Sequence, residues 1–249
     1  MRILICGVGG RMGREVASMA LAGMRGAEAV AGFDILPVDT REFPSYTDWS
    51  DVRETPDCII DFSHHAGTAA MLDFACAKGI PVVLATTGHD EAEQARIEEA
   101  AKMIPLFHSA NMSLGVALLA ELAKMTAKTF PDADIEIIEK HHNRKLDAPS
   151  GTALLLARAI QAVRERATLI FGRSGQAKRT PEEIGIHAIR MGNIVGEHEV
   201  IVGTDTQTIT LKHEAHSRAL FAEGAIAAAE FLIRQGAGLY DMRSMIDAN

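Results

Sequence analysis

The chain has 249 residues and a formal net charge of −8, and 47% of its residues are hydrophobic while only 5% are aromatic. This length allows one large domain or two modest ones, and the acidic balance argues against a general nucleic-acid-binding protein, which needs a basic footprint. A core built mostly from Ala, Ile, Leu, Val and Met favours an α/β protein with helices on a parallel sheet.

The first half of the chain alternates short apolar runs with helical patterns. The predicted strands are residues 1–6, 28–33, 58–62, 81–84 and 104–107, and the predicted helices are 14–22, 66–78 and 92–102. Strands that alternate with helices at this spacing predict a doubly wound, Rossmann-like parallel sheet.

The pattern changes after residue 112. Helices are predicted over 114–129, 153–163 and 221–235, and strands over 135–140, 186–190, 197–202 and 207–211. Three consecutive strands predict an antiparallel or mixed sheet covered by helices, which is a smaller α+β unit. We therefore expect one domain over 1–112, to which residues 219–249 return, and a second domain over 113–218.

A glycine-rich turn follows the first strand, where a dinucleotide-binding fold has its phosphate site. Gly7, Gly10 and Gly13 fit a variant of the G-x-G-x-x-G fingerprint, since the strict pattern would need glycine at Met12. Glycine lets the chain bend sharply and approach the pyrophosphate, while the next helix points its first N–H groups at it. The residues predicted to bind the dinucleotide here are Gly7, Val8, Gly9, Gly10, Arg11, Met12 and Gly13. The alternative is an ordinary glycine-rich turn between a strand and a helix.

Asp34 stands at the end of the second predicted strand, 21 residues beyond Gly13. Its carboxylate is expected to accept hydrogen bonds from the adenosine ribose hydroxyls. It would also repel a ribose 2′-phosphate. The residues from Ile35 to Val38 include no Lys or Arg, so Arg11 is the nearest basic residue that could offset this repulsion. We therefore predict NADH or NADPH as the cofactor, with NADH preferred.

The three cysteines, Cys6, Cys58 and Cys76, are odd in number, lack a CxxC spacing and have apolar or small neighbours. This pattern favours small buried hydrophobes in a reducing compartment over redox or metal roles. No stretch approaches the ~18 apolar residues of a membrane span, and a strand begins at the N-terminus without a signal-peptide pattern. We expect a cytoplasmic protein that binds neither membrane nor nucleic acid.

The segment from Glu136 to Ala153 joins a predicted strand to a predicted helix and carries most of the basic chemistry. His141, His142, Arg144 and Lys145 lie within five residues, and Ser150-Gly151-Thr152 begins the helix. Hydroxyls and N–H groups at a helix start, next to cations, suit a carboxylate ligand. The alternatives are a surface histidine pair and a simple helix cap. We predict no metal, because no HExxH pattern or nearby cysteine accompanies the histidines.

At these residues the chain resembles the dihydrodipicolinate reductases, also called 4-hydroxy-tetrahydrodipicolinate reductases. Residues 139–153 meet every defined position of the family signature E-x-H-H-x-x-K-x-D-A-P-S-G-T-A. Further similar stretches are residues 7–14, 60–63, 85–88, 110–116, 190–198, 217–218 and 238–243, so the resemblance covers nearly the whole chain.

The resemblance implies an enzyme that transfers hydride from NADH or NADPH to a cyclic imine dicarboxylate in lysine and diaminopimelate biosynthesis. It implies His141 and Lys145 as proton donors and His142, Gly151 and Thr152 as substrate contacts; we add Ser150 to the substrate site from its place at the helix start. It also implies that residues Ala85, Thr86, Thr87, Ser109, Ala110, Asn111 and Met112 line the nicotinamide side of the cofactor. The second domain would bind substrate and assemble a homotetramer through its sheet.

The chain departs from the family pattern at a few positions. Ile35 stands where many members carry a basic residue, which weakens any transfer of an NADPH preference; Ala85 replaces a frequent glycine and Met112 a frequent Phe. Two other functions stay open from the residues alone. One is a different two-domain dehydrogenase, although an acylating aldehyde dehydrogenase would need a nucleophilic cysteine. The other is a non-catalytic dinucleotide sensor, which would not need the residues from His141 to Thr152.

Overall fold

A computed structural model describes residues 1–248, which form twelve strands and seven α-helices. The strands are β1 (Arg2–Cys6), β2 (Glu28–Phe33), β3 (Ser45–Tyr46), β4 (Cys58–Asp61), β5 (Val82–Leu84), β6 (Pro105–His108), β7 (Asp134–His141), β8 (Thr168–Phe171), β9 (Glu183–Arg190), β10 (Gly196–Gly203), β11 (Thr208–Ala215) and β12 (Gly238–Tyr240). The helices are α1 (Arg11–Leu21), α2 (Thr68–Lys78), α3 (Glu91–Ala101), α4 (Leu114–Thr129), α5 (Gly151–Gln161), α6 (Ala219–Leu232) and α7 (Met242–Asp247).

The chain divides into two compact units. The first unit contains Met1–Ser113 together with the described residues from Ala219 onward, and the second contains Leu114–Arg218. The first unit is therefore built from two separate segments of the chain.

The first unit contains a seven-stranded sheet in the order β12-β6-β5-β4-β1-β2-β3, with every neighbouring pair parallel. Its strands are buried on both faces, because α1 and α6 pack together on one side while α2 and α3 pack on the other. Leu4 and Ile59 join the core beneath α2 and α3, whereas the alternate residues Ile3 and Ile60 point to the opposite face. This is the doubly wound parallel sheet that the alternating pattern predicts.

The second unit contains a five-stranded mixed sheet in the order β11-β10-β7-β9-β8. The β7 strand pairs antiparallel with β10 and parallel with β9, so it lies at the centre. One face is covered by α4 and α5, where Ile135, Ile137 and Val200 are fully buried. The alternate residues Glu136 and Ile138 lie on the other face and are only partly buried. The mixed sheet with helices on one side confirms the predicted α+β unit.

The structure adds four elements that periodicity does not reveal: β3, β8, β12 and α7. Three of them are strands of two to four residues, which are too short for an alternating pattern. The structure also begins α1 at Arg11 rather than at residue 14, because the glycine turn leads directly into the helix. None of the helices in residues 1–248 is long and apolar enough to cross a membrane.

Candidate functional site

The turn between β1 and α1 is closed by backbone contacts that require glycine. Gly7 has a φ of +75°, and its N–H donates to the Phe33 carbonyl at 2.8 Å. A Cβ on Gly7 would lie 2.8 Å from the Phe62 carbonyl oxygen, and a Cβ on Gly13 would lie 2.1 Å from the Gly7 oxygen. Side chains at these two positions would push α1 and β4 away from the turn.

The N-terminus of α1 is open to an anionic ligand. Its N-cap is Gly10, which provides no side-chain acceptor, and its first turn carries no acidic residue. Arg11 is exposed at the first helical position, Met12 is partly buried, and Val8 is buried under the turn. Unpaired N–H groups and the positive end of a helix favour a phosphate at this place.

Asp34 comes directly after β2 and faces the same turn. Its carboxylate accepts a hydrogen bond from the Gly9 N–H at 2.9 Å and a longer one from the Leu36 N–H at 3.4 Å. A Cβ on Gly9 would lie 3.1 Å from an Asp34 oxygen and 2.9 Å from a methyl group of Val38. The glycine turn therefore brings its backbone into contact with the carboxylate, as a dinucleotide cradle requires. The residues fit the diphosphate and ribose of a nicotinamide dinucleotide.

The loop after β5 holds Ala85, Thr86 and Thr87 at the carboxyl edge of the parallel sheet. Ala85 and Thr86 are buried, while Thr87 is exposed. The Thr86 hydroxyl donates to Asp61 at 2.6 Å, and the Ser63 hydroxyl donates to the same carboxylate at 2.5 Å. Burial raises the pKa of Asp61 above its usual value, although both hydroxyls oppose the shift. The sequence does not indicate the hydrogen bond between Thr86 and Asp61, because these two residues meet only through the pairing of β4 with β5.

The loop after β6 places Ser109, Ala110, Asn111 and Met112 at the same edge. The Ser109 hydroxyl donates to the Asn111 carbonyl at 2.8 Å, and the Asn111 side chain accepts from the Ser113 N–H at 2.9 Å. Met112 is buried and Ala110 is exposed. Ligands of open α/β sheets bind outside the carboxyl ends of the strands. All predicted cofactor residues therefore lie at the edge where such a ligand binds.

Four histidines also gather at this edge, and the sequence analysis assigned none of them. The rings of His64 and His65 are tilted against each other with centroids 4.3 Å apart, and His89 meets His108 edge to face at 5.4 Å. His65 pairs with Glu93 at 2.8 Å. Burial, and then the charge of His89, lowers the pKa of His108. These histidines lie at or after the ends of three different strands, β4, β5 and β6, so their proximity depends on the order of the strands in the sheet.

In the second unit, β7 ends at His141 and the following loop leads to α5. His141 is buried and its Nδ1 lies 2.6 Å from Glu139. Lys145 lies in the loop, and its ammonium pairs with Asp147 at 2.9 Å. The hydrogen bond from Lys145 holds the pKa of Asp147 below its usual value. Both predicted proton donors are therefore held by carboxylates of the same segment.

His142 follows the strand and is half-buried among cations. Burial, followed by the charges of Arg144 and Arg218, lowers the pKa of His142. Arg218 is thus close enough to act on this side chain, although the sequence analysis gave it no role. Arg218 stands 76 residues further along the chain, so only the fold brings its charge to the loop.

At the start of α5, Ser150 is a buried capping residue, whereas the two residues that follow it are more accessible. Ser150 is buried; its hydroxyl accepts from the Ala153 N–H at 3.2 Å and lies 3.2 Å from Nε2 of His198. Gly151 is exposed and Thr152 is partly buried. Burial, reinforced by the charge of His141, lowers the pKa of His198 to about 4, so this ring is neutral at physiological pH. The Ser150 hydroxyl is engaged within the protein, whereas Gly151 is accessible at the first helical position.

No group of three or more His, Cys, Asp or Glu side chains within residues 1–248 is arranged to hold a metal ion. Cys6 and Cys58 are buried, and burial raises the pKa of both thiols. Cys76 is only partly buried, so the expectation of three buried cysteines is wrong for this residue. Burial still raises the Cys76 pKa, which leaves all three thiols protonated near neutral pH.

A parallel sheet with a glycine cradle, joined to a unit with a basic loop at a helix start, defines a two-domain oxidoreductase of the dinucleotide-binding class. Residues 1–112 match the family model described as dihydrodipicolinate reductase, N-terminus, and residues 115–246 match the model described as its C-terminus. The chain belongs to the dihydrodipicolinate reductase family. This membership confirms the predicted family and the predicted reductase activity.

Curated relatives agree over the full length of the chain. It is 48% identical over 250 residues to the 4-hydroxy-tetrahydrodipicolinate reductase of Caldanaerobacter subterraneus subsp. tengcongensis, covering 99% of this chain and 98% of the relative. It is 42% identical to the enzyme of the same name from Clostridium tetani, covering 100% and 98%.

Solved structures share the fold. A dipicolinate-bound dihydrodipicolinate reductase from Paenisporosarcina sp. TG-14 matches with a TM-score of 0.82 at 24% identity, over 97% of both chains. A DAP dehydrogenase of C. glutamicum in complex with DAP matches with a TM-score of 0.59 at 15% identity, over 97% of this chain and 92% of that one. Both likenesses support the predicted fold class.

Proposed function

We propose that this chain reduces 4-hydroxy-tetrahydrodipicolinate to tetrahydrodipicolinate with NADH or NADPH, in lysine and diaminopimelate biosynthesis. The observation that carries the proposal is the concentration of positive charge in a chain of net charge −8. The charges of Arg144, Lys145 and Arg218 all act on the side chain of His142, in the loop that ends at the start of α5. Such a cluster suits a small dicarboxylate, and the curated relatives named above are reductases of this dicarboxylate.

The first unit would hold the dinucleotide. Gly7 and Gly13 let the turn close tightly against protein backbone, which would shape the cradle for the diphosphate, and the N-terminus of α1 supplies N–H donors. Asp34 would accept hydrogen bonds from the ribose, while the loops from Ala85 to Thr87 and from Ser109 to Met112 would hold the nicotinamide end. When bound, the reduced nicotinamide supplies the hydride.

The second unit would hold the substrate and supply the proton. The carboxylates would be bound by the side chains of His142 and Arg218 and by Gly151 and Thr152 at the helix start, whose geometry Ser150 fixes as the N-cap. Hydride arrival leaves negative charge on the conjugated ring system, and a nearby acid must neutralise it. Lys145 and His141 would be these acids, and Asp147 would release Lys145 to the substrate.

We infer a preference for NADH. Ile35 and Leu36, which follow Asp34, are exposed and carry no charge, and Arg41 in the same loop is paired with Asp39 at 3.9 Å. A ribose 2′-phosphate would therefore face the Asp34 carboxylate with little compensation. Use of both cofactors remains compatible with Arg11, which is exposed at the first position of α1.

The test is an absorbance assay of reduced-nicotinamide oxidation with freshly generated 4-hydroxy-tetrahydrodipicolinate, run with NADH and NADPH in parallel. Substrate-dependent oxidation, with the larger kcat/KM for NADH, is the expected result. A folded protein that binds dinucleotide but oxidises neither cofactor would refute the reductase proposal and leave the sensor. An acylating aldehyde dehydrogenase is disfavoured, because Cys6 and Cys58 are buried and all three thiols are protonated.

The proposal extends to assembly and location. We propose a cytoplasmic homotetramer that forms through the sheet face opposite α4 and α5, where Ile138, Ile189 and Ile201 are only partly covered. Light scattering on the purified chain would give a mass near four times 26.8 kDa. A monomer at micromolar concentration would contradict the assembly but leave the reaction untouched.

A further inference from the structure

Glu139 is the most completely buried charge in the second unit, and the proposed reaction gives it no role. It lies on β7 two residues before His141, and its side chain has no exposed surface. One carboxylate oxygen accepts from His141 Nδ1 at 2.6 Å and from Arg190 at 2.8 Å. The other accepts from Arg190 at 2.6 Å and from the Ser150 N–H at 3.0 Å. A buried carboxylate with four donors is ionised and fully paired.

This pairing fixes the tautomer of His141. Burial alone would raise the pKa of Glu139, but the hydrogen bonds from His141, Arg190 and Ser150 outweigh it and lower the pKa to about 2. An ionised carboxylate can only accept, so Nδ1 of His141 must carry a proton. The nitrogen that exchanges a proton with a ligand is therefore Nε2.

The strand beside β7 leaves room for that nitrogen. A Cβ on Gly196 of β10 would lie 3.1 Å from Nε2 of His141, which is closer than an ordinary contact. The absence of a side chain at Gly196 therefore lets the ring stand in the orientation that the Glu139 bond selects. His198, which meets the ring edge to face with centroids 5.1 Å apart, limits its rotation on another side.

The Glu139 carboxylate also connects the N-cap of α5 to the segment that contains Lys145 and Asp147. Its bond to the Ser150 N–H holds the chain at the N-cap of α5. Its partner Arg190 donates a further hydrogen bond to the Asp147 carbonyl at 2.7 Å, and Asp147 is the residue that pairs with Lys145. Glu139 is thus hydrogen-bonded directly to His141 and to the helix start, and it is linked to the Lys145 segment by two hydrogen bonds through Arg190.

We propose that Glu139 is a positioning residue that holds His141 in the Nδ1–H tautomer and fixes it relative to the start of α5. The proposal rests on the function proposed above, in which His141 delivers a proton: the doubly protonated ring gives up the proton on Nε2, while Nδ1–H stays bonded to Glu139. Glu139 itself exchanges no proton and touches no ligand. Its effect on turnover passes through His141, and its effect on substrate affinity passes through Ser150 and Arg190.

The variant that tests this role is Glu139→Gln, which keeps the size and removes the charge. Either orientation of the amide sets its NH₂ group against two donors, so two of the four hydrogen bonds are lost. We expect kcat to fall by about 10²-fold, in the range of a misplaced general acid, with dinucleotide Kd unchanged. The matched control is Glu136→Gln on the opposite face of β7. Glu136 also bonds one histidine and one arginine, His187 and Arg179, and this variant should keep kcat within about threefold at equal assembly state.

A double-mutant cycle separates positioning from general damage. In a His141→Ala background, Glu139→Gln should lower kcat by less than about threefold, because the residue through which it acts is gone. Glu139→Gln should also raise the substrate KM through Ser150 and Arg190, and this increase should persist in the His141→Ala background. Multiplicative losses of kcat in the double variant would overturn the proposal and make Glu139 a purely structural residue.

A spectroscopic measurement keeps the proposal testable apart from activity. Nitrogen-15 NMR of histidine-labelled protein should show His141 with a protonated Nδ1 in the wild type and a changed tautomer or a mixture in Glu139→Gln. A wild-type ring protonated only at Nε2 would refute the proposal even if the enzyme is active. Conversely, the expected spectra together with no reductase activity would refute the proposed reaction while leaving the role of Glu139 in the tautomer intact.

Discussion

In the proposed function, the two units would recognise their ligands by opposite means. The cradle of the first unit depends on atoms that are missing, since a Cβ on Gly7 or Gly13 would collide with backbone. The basic loop of the second unit depends on side chains such as Lys145 and His141, which are held by the carboxylates of Asp147 and Glu139. Backbone recognition tolerates many side chains but no added Cβ at a few positions, whereas side-chain recognition tolerates small shifts of backbone but no loss of a particular group. Damage to the two units should therefore show in different measurements.

Lys145→Ala is expected to give the largest difference between an effect on turnover and an effect on dinucleotide binding. Removing a proton donor should lower kcat by about 10²–10⁴-fold, while dinucleotide Kd measured by fluorescence titration stays unchanged. The control is Lys140→Ala, which removes a lysine paired with Glu197 at 3.0 Å on the other face of β7. A kcat within a few-fold of wild type would remove Lys145 from the mechanism.

Gly13→Ala tests the opposite unit. The added methyl would lie 2.1 Å from the Gly7 oxygen, which is backbone and cannot swing aside. Overpacking of this kind costs about 3 kcal/mol. If this energy is relieved by distortion of the turn, dinucleotide affinity should fall by about 10²-fold. Gly236→Ala is the control, because an added methyl there meets nothing within 4 Å. Affinity equal to the control in calorimetric titration would mean that the turn is not the phosphate cradle.

Acid should weaken the second unit through Glu139. Its pKa falls from 4.5 to about 2 on folding, so its contribution is present above pH 4.5 and is lost as the pH falls towards 2. A shift of this size corresponds to about 3 kcal/mol. The free energy of unfolding in urea should therefore fall more between pH 5 and pH 3 for the wild type than for Glu139→Gln. Equal slopes would contradict the paired, ionised state of this carboxylate.

The smallest expected effect is a change in the preference between NADH and NADPH, with no change in stability or in the basic loop. Asp34→Asn removes one negative charge near the ribose but keeps an acceptor for the Gly9 N–H. One unit charge a few ångströms away is worth about 1 kcal/mol or more, so the NADPH-to-NADH ratio of kcat/KM should rise about fivefold to tenfold. Glu99→Gln, which removes an exposed charge on α3, should leave the ratio unchanged.

Local patterns were sufficient to predict the parallel sheet, the mixed sheet and the two loops. The glycine spacing indicates the turn because two requirements are local: Gly7 has a positive φ, and Gly13 approaches the Gly7 oxygen. The signature from Glu139 to Ala153 indicates the basic loop because its groups are contiguous in sequence. The short strands β3 and β12 escaped prediction because their position depends on neighbours in the sheet rather than on their own two or three residues.

Contacts set by strand register could not be predicted. Arg190 reaches Glu139 because β9 pairs in parallel with β7, which aligns His141 with Arg190 across 49 residues of chain. His198 faces Glu139 through the antiparallel pairing of β10 with β7. A single sequence does not contain this register, so the partners that hold the predicted donors came only from the fold. The hydrogen bond between Thr86 and Asp61 in the first unit could not be predicted for the same reason, because it also depends on strand pairing.

The division of the first unit between two chain segments has a consequence for biosynthesis. Ala225, Ile226 and Ala229 of α6 are fully buried against the parallel sheet, so that face of β4, β5 and β6 stays uncovered until residues 219–232 have left the ribosome. The second unit, encoded between the two segments, is synthesised completely before this happens. It can therefore acquire its native structure while the nascent first unit still exposes an apolar surface that chaperones bind. Ribosome-bound chains that end at residue 218 and carry an added unstructured C-terminal linker long enough to fill the exit tunnel should be protease-resistant in the second unit and sensitive in the first.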